Sequence, residues 1–211
     1  IEDQIEDYLS RGQSIELDTA DALAVAGMFA YTVDAKSSYT LEHSTRVARI
    51  ARHLAASCGI QGEHLDKVEI AGLLHDIGKL RVPEDIIDKP GPLTREERAY
   101  VMRHSYDTGH ILRKVFPGQP IADWAAMHHE NLLGTGYPFH RPPIELPREA
   151  RLITVADIFQ AMSQERPYRG HMARFEVMAH LDELSQQGRI DFEMVALLHT
   201  QLDPCYALAV E

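Results

Sequence analysis

The sequence predicts an all-α fold. Apolar residues recur at spacings of three and four in one segment after another, alternating strand patterns are almost absent, and the stretches rich in proline and glycine fall between the helical segments. Ile1, Ile5, Tyr8 and Leu9 sit at helical spacing on an acidic stretch, which reads either as a helical connector from an upstream domain or as a boundary segment without a role. After Thr40, Val47, Ile50, Ala51 and Leu54 form one helical stripe, and Leu65, Val68, Ala71 and Leu74 form the next. Pro83 and the run from Pro90 to Pro92 mark a break and a loop. Thr94 followed by Glu97 predicts a capping box that opens a long helix to about Val115. Pro117 to Pro120 is a turn, and Ile121, Trp124, Ala125 and His128 predict another helix. Asn131 to Pro147 reads as an irregular loop, after which helices are expected at Pro147 to Met162, Arg174 to Gln187 and Phe192 to Leu202.

Composition narrows the function. A chain of 211 residues is one full domain with at most a short attachment, and it buries a core without covalent staples. The balance of 21 basic against 32 acidic side chains, a net charge of −11, argues against sequence-independent binding of DNA or RNA. A small anionic ligand held by a local group of Arg and Lys is still compatible with it. Ala22 to Tyr31, the longest apolar stretch, is too short to cross a bilayer, for which roughly 18 residues are needed, so direct membrane insertion is not expected. The acidic start does not lead us to expect a signal peptide, and a first residue other than Met leads us to expect a fragment of a longer protein. Cys58 and Cys205 lie far apart without CxxC spacing and read as reduced thiols in a cytoplasmic protein.

The anomaly is the 12 histidines. His43 shares the stripe of Val47, Ile50 and Leu54, and His75 follows Val68 and Ala71, with Asp76 beside it. His104 lies three after Val101. His128 lies four after Trp124, with His129 next to it. Singly, a buried His is more often a hydrogen-bonded core residue than a ligand. Several imidazoles and a carboxylate buried together without partners would cost several kcal/mol per group, and a metal centre removes that cost. Asp157, in the apolar run LITVADIF, adds a second inward carboxylate. The candidates include no thiolate, so mixed nitrogen and oxygen donors suit Fe, Mn, Co or Ni better than Zn. Seven ligands are too many for one ion and fit two ions bridged by a carboxylate.

HDIGK at His75 to Lys79 and HHENLLGTGYP at His128 to Pro138 resemble the HD-GYP family, a branch of the HD phosphohydrolases whose members hydrolyse cyclic di-GMP. The likeness runs from about Asp34 to Asp203 through EHSTRVARIA, AGLLHDIGKLRVPE, KPGPLTREE, the HHE-to-GYP loop, ARLITVADIF and RPYR, in family order. It implies an HD-type helical bundle over residues 34–211, preceded by an N-terminal helical segment at 1–33, with a dinuclear centre in the bundle core. It makes His43, His75, Asp76, His104, His128, His129 and Asp157 the metal ligands, the same seven that the spacing selects, with Asp76 bridging and Fe or Mn as the expected pair of ions. Lys79 matches the lysine near the scissile phosphate. Tyr137 matches the GYP tyrosine, and Arg166 and Arg169 match positions that hold substrate phosphate or guanine. Without the motif, the two arginines would read as a solvated pair and GTGYP as a plain turn.

The implied reaction is hydrolysis of cyclic di-GMP to linear pGpG, with possible continuation to GMP, by a hydroxide shared between the two ions; Lys79 either neutralises the phosphate or protonates the leaving oxygen. A second copy of the chain and an upstream sensory or regulatory domain are the protein partners expected. Three positions depart from the family pattern. Leu133 stands where an Asp is usual, which puts loop hydrogen bonding and substrate contact in question. Tyr39 stands where members with three metals carry Glu, so two ions are expected. Gly109 lies one residue later than usual and reads as a neutral variant. The rival readings are an HD hydrolase of another cyclic dinucleotide, a non-catalytic relay that binds cyclic di-GMP or a partner, and a helical dimerisation module.

Overall fold

The computed structural model describes residues 18–36, 42–164 and 172–210. Among these the regular structure is helical throughout: α1 (Thr19–Ala35), α2 (His43–Ser57), α3 (Gly62–Leu74), a 3-10 turn (Ile77–Arg81), α4 (Glu84–Ile87), α5 (Arg95–Met102), α6 (His104–Val115), α7 (Ile121–Ala126), a second 3-10 turn (Pro143–Glu145), α8 (Arg148–Ser163), α9 (Arg174–Gln186), α10 (Phe192–Thr200) and α11 (Leu202–Val210). No helix among the described residues is long and apolar enough to cross a membrane.

Helix α2 is the centre of the bundle, packed between α3 and α8, with α11 and α1 alongside. Its predicted stripe is wholly buried: Val47, Ile50, Ala51 and Leu54 have no exposure. They meet Val68 and Ala71 from α3, and Leu152, Ile153 and Phe159 from α8, in one continuous apolar core. Gly72 lets α3 approach α2 closely, because a Cβ there would stand 2.8 Å from the Ala48 Cα. Gly109 plays the same part between α6 and α7, where a Cβ would meet the Ala126 methyl at 2.9 Å. That glycine is therefore a packing residue.

Thr94 and Glu97 form the predicted capping box at the start of α5. The long helix expected to follow is instead two, α5 and α6, divided at Arg103. The division has a local cause. The His104 side chain donates Nδ1–H to the Val101 carbonyl at 2.7 Å and takes an acceptor that a continuous helix would use. At the other end of the chain, the helix expected to reach Leu202 ends at Thr200, and α11 follows unpredicted. Pro204 falls in the first turn of α11, where its missing N–H leaves no bond unmade. Ile1, Ile5, Tyr8 and Leu9, and also Tyr39, lie outside the described residues.

Candidate metal centre

The seven candidate ligands converge from ends of helices and not from their middles; only Asp157 lies well inside one. His43 is the first residue of α2, His75 closes α3, and His104 opens α6. His128 and His129 follow the short α7. Three of these imidazoles share one device: His75 bonds through Nδ1 to the Gly72 carbonyl, His104 to Val101 and His128 to Ala125, each three residues back and each at 2.7 Å. A carbonyl only accepts, so Nδ1 carries the proton and Nε2 is left as a lone pair facing the centre. The bond also terminates the helix, which is why the spacing of these histidines looks helical while they stand at helix ends.

His75 and Asp76 are fixed by the 3-10 turn that follows them. Gly78 lies so close to α6 that a Cβ on it would overlap the His104 carbonyl, and its N–H donates to Thr108 Oγ1 at 3.0 Å. The same hydroxyl donates to the His75 carbonyl at 2.9 Å. His43 is held from two sides that sequence reading missed. Asp34, buried on α1, accepts from the Ser44 N–H at 2.9 Å and the Ser44 hydroxyl at 2.7 Å, so a neighbouring helix caps the first turn of α2. Gln160 on α8 accepts from His43 Nδ1 at 2.5 Å. Its one signal in sequence is an amide three residues after Asp157 on an apolar helix.

Asp76 organises the donors. Its Oδ2 lies 3.4 Å from His75 Nε2 and 3.8 Å from His43 Nε2. Its Oδ1 lies 3.2 Å from His104 Nε2 and 3.9 Å from His128 Nε2. Asp157 joins the first set at 3.3 Å from His43 Nε2. Three overlapping groups have metal-ligating spacing: His43 with His75 and Asp157, His104 with His128 and His129, and His75 with Asp76 and His128, which joins the other two. Two buried atoms at the heart of this arrangement, His75 Nε2 and Asp76 Oδ1, lack any hydrogen-bond partner. Such atoms are costly in an apolar interior, and the donor set has the chemistry of a mixed nitrogen and oxygen metal site, so the residues fit metal ions.

The electrostatics agree. Burial pushes His75, His128 and His129 down, His129 to about 4, and His128 is lowered further by His129 itself, so all three are neutral imidazoles at pH 7. Burial opposes the charge on Asp76, but Lys79 and the surrounding imidazoles outweigh it and hold the carboxyl well below its ordinary range. His43 is the exception. Burial is outweighed by its hydrogen bond to Asp157 and by both carboxylates, and its pKa is raised.

Lys79 donates to Asp76 Oδ2 while keeping 30% of its side chain exposed. It lines a cleft of about 270 Å³ with Asp76, Lys89, Gly91 and Leu93. Tyr137 stands on the other side of the histidines, its ring centroid 4.7 Å from that of His129. Its place is set by Gly136, whose Cβ would come within 2.6 Å of the backbone of residues 129–131, and by its own N–H bond to the His129 carbonyl. Glu130, buried, accepts from the Phe139 and Arg141 N–H groups and pins the remainder of the loop. Leu133 is exposed, and the hydrogen bonding questioned on its account is supplied by Asn131, whose Oδ1 accepts from the N–H groups of Leu133 and Thr135. Arg166 and Arg169 lie outside the described residues.

The profile of the family described as HD domain matches residues 27–194 of this chain. The chain belongs to the HD domain family. Its His75–Asp76 pair is the dyad of that name, and the order of HDIGK, HHE and GYP is that of the HD-GYP type. This HD domain is 39% identical over 197 residues to 3'3'-cGAMP-specific phosphodiesterase 1 of Vibrio cholerae serotype O1, covering 92% of the chain and 45% of the relative. It is 34% identical over 150 residues to the cyclic di-GMP phosphodiesterase response regulator RpfG of Xanthomonas campestris, covering 69% of the chain and 38% of the relative. The crystal structure of a cyclic GMP-AMP-specific phosphodiesterase of V. cholerae matches with a TM-score of 0.57 at 36% identity, over 90% of this chain and 42% of that one. The HD domain thus spans less than half the length of each of these proteins.

Proposed function

We propose that this HD domain is a metal-dependent phosphodiesterase acting on cyclic dinucleotides that contain guanine. The observation that carries the reading is the Asp76 carboxylate, whose Oδ2 faces His75 and His43 and whose Oδ1 faces His104 and His128, while Lys79 sits on it at the edge of an open cleft. His43, His75, Asp76 and Asp157 would hold one transition-metal ion, and Asp76, His104, His128 and His129 a second, with Fe or Mn favoured by the donors. Two bound ions supply Lewis acidity toward water and toward the phosphodiester.

The chain's own part is positioning and charge. The three Nδ1–H bonds hold the imidazoles in the liganding tautomer. Lys79 places a positive charge where negative charge builds on the phosphate and the leaving O3'. Water adds to phosphorus, the P–O3' bond breaks, and the proton passes to O3', giving a linear dinucleotide with a 5'-phosphate and a free 3'-hydroxyl. Tyr137, Arg166 and Arg169 are the substrate contacts in this proposal. The substrate read from the motifs is cyclic di-GMP; the likeness to the 3'3'-cGAMP-specific phosphodiesterase of V. cholerae favours 3'3'-cGAMP as a second. An upstream sensory or regulatory domain and a second copy of the chain are its proposed partners.

The test is to assay the purified protein, loaded with Mn or Fe under reducing conditions, against both dinucleotides. Wild type should release linear product, and Lys79→Ala should lower kcat by about a hundredfold with little change in KM, as expected for a group that acts in the transition state. Metal-loaded wild type that binds a dinucleotide but never opens it would replace this proposal with that of a relay.

A further inference from the structure

Behind the histidines lies a second cleft, separate from the one that Lys79 lines. It holds about 160 Å³ and opens between the HHE-to-GYP loop, α8 and the connection from α9 to α10. Its lining is mixed: Tyr137, Ile158, Leu184 and Ile190 contribute apolar surface beside His128 and His129, Glu130, Asn131 and Thr154 contribute polar atoms, and Arg189 is its cation. Resting on the phosphodiesterase reading above, we propose that Arg189 is a specificity-determining residue that binds the O6 and N7 edge of one guanine of the substrate, with the base lying in this cleft against Tyr137.

Charge availability singles out this residue. A cyclic dinucleotide carries two negative charges and meets a chain of net charge −11. Of the cations that line the two clefts, Lys79 is engaged by Asp76 and Lys89 by both Glu97 oxygens. Arg189 makes no ion pair among the described residues, and it is exposed at the cleft mouth. Its backbone is nevertheless fixed: its N–H donates to the Leu184 carbonyl at 2.9 Å, and its carbonyl accepts from the Leu132 N–H at 3.4 Å. The second bond ties the arginine to the loop that carries Tyr137, so the aromatic face and the guanidinium are held by one frame.

The lining decides between a base and a phosphate. Three aliphatic side chains and a tyrosine ring suit the face of a nucleobase, Asn131 and Thr154 are polar groups compatible with its edge, and the Glu130 carboxylate in the same lining disfavours a phosphate. A guanidinium is a planar fork of donors. Guanine presents two acceptors at O6 and N7, while adenine offers N7 and an opposing amino donor, so the fork accepts the first and rejects the second. One guanine is common to cyclic di-GMP and 3'3'-cGAMP, and the proposal applies to both.

The experiment compares metal-loaded wild type, Arg189→Ala and Arg189→Lys on cyclic di-GMP, 3'3'-cGAMP, cyclic di-IMP and cyclic di-AMP. KM for hydrolysis is the readout, or the dissociation constant by calorimetry where no product forms, with melting temperature and metal content measured in parallel. Cyclic di-IMP keeps O6 and N7 and lacks the 2-amino group. Arg189→Ala should weaken the three ligands that carry O6 by about tenfold or more, leave cyclic di-AMP unchanged and keep kcat within about twofold. Arg189→Lys retains charge without the fork and should behave like Arg189→Ala. An equal loss on all four ligands would mean a phosphate contact, and no loss on any would mean a surface residue; either overturns the proposal. Wild type that binds but cleaves none of them would refute the phosphodiesterase reading separately, since the binding constants still judge Arg189.

Discussion

Gln160 coordinates nothing, yet it decides where His43 points. Its amide oxygen receives the Nδ1 proton and so leaves Nε2 aimed at Asp157 and Asp76. Gln160→Leu keeps the volume of the side chain and removes the acceptor. Metal affinity should then fall by about ten- to a hundredfold, the usual cost of losing a partner behind a liganding imidazole. Titration with Mn and competition against a chelator would measure it, and an unchanged affinity would show that His43 is oriented by packing alone. Cys205 gives a second residue-scale expectation. It is wholly buried in the core, and burial pushes its thiol up to about 12 from an ordinary 9.0. The folded state therefore keeps this proton where the unfolded chain releases it. Its contribution to stability is complete below pH 9 and is lost as pH rises toward 12. Iodoacetamide at pH 8 should label Cys205 only after denaturant unfolds the chain; rapid labelling of the native protein, read by mass spectrometry, would contradict its burial.

Among elements, the 3-10 turn after Asp76 carries the heaviest constraint, because it must lie directly on α6. Gly78→Ala would push a methyl into the His104 carbonyl, and two elements that carry candidate ligands would have to separate. A loss of about 3 kcal/mol or more is expected in urea unfolding, at the upper end of what overpacking costs. A wild-type midpoint would mean that the turn can shift freely. Asp34→Ala, by removing the cap that α1 provides to α2, should cost about 1–2 kcal/mol and weaken metal binding through His43. These elements also show how far sequence reading reaches. The stripes of α2 and α3 and the capping box of α5 were legible because burial and capping repeat at short range. The seven candidate ligands were legible because polar groups on apolar stripes demand an explanation, and the structure brings all seven together. The break at Arg103 was not legible, since it depends on a side chain bonding to its own backbone. Nor were Asp34 and Gln160, whose partners lie ten and 117 residues away.

At the scale of the whole molecule, the cluster of donors is a deficit that bound metal removes. Five imidazoles and two carboxylates share a small volume, with two buried atoms unpartnered. Ions that bind only the folded state stabilise it by mass action, about 4 kcal/mol at a thousandfold excess over the dissociation constant. Protein purified without chelator should carry close to two ions per chain under the proposed reading, by elemental analysis, and stripping them should lower the melting temperature by several degrees. Equal melting curves for the loaded and stripped forms would show that the fold does not use the metal. The three histidines that donate Nδ1–H to a carbonyl three residues behind them have a further bearing, on how this chain can change. Each ends a helix with one ring nitrogen and offers a donor pair of electrons with the other. The imidazole does both from opposite edges of one ring, whereas a carboxylate at neutral pH has no proton to give the carbonyl and an amide or hydroxyl carries its donor and acceptor at the same tip. Any single replacement at His75, His104 or His128 therefore unmakes either the helix end or the site. At these three positions, then, the end of a helix and the donor set change together, whereas His43, His129 and Asp157 are not tied to a helix end in this way.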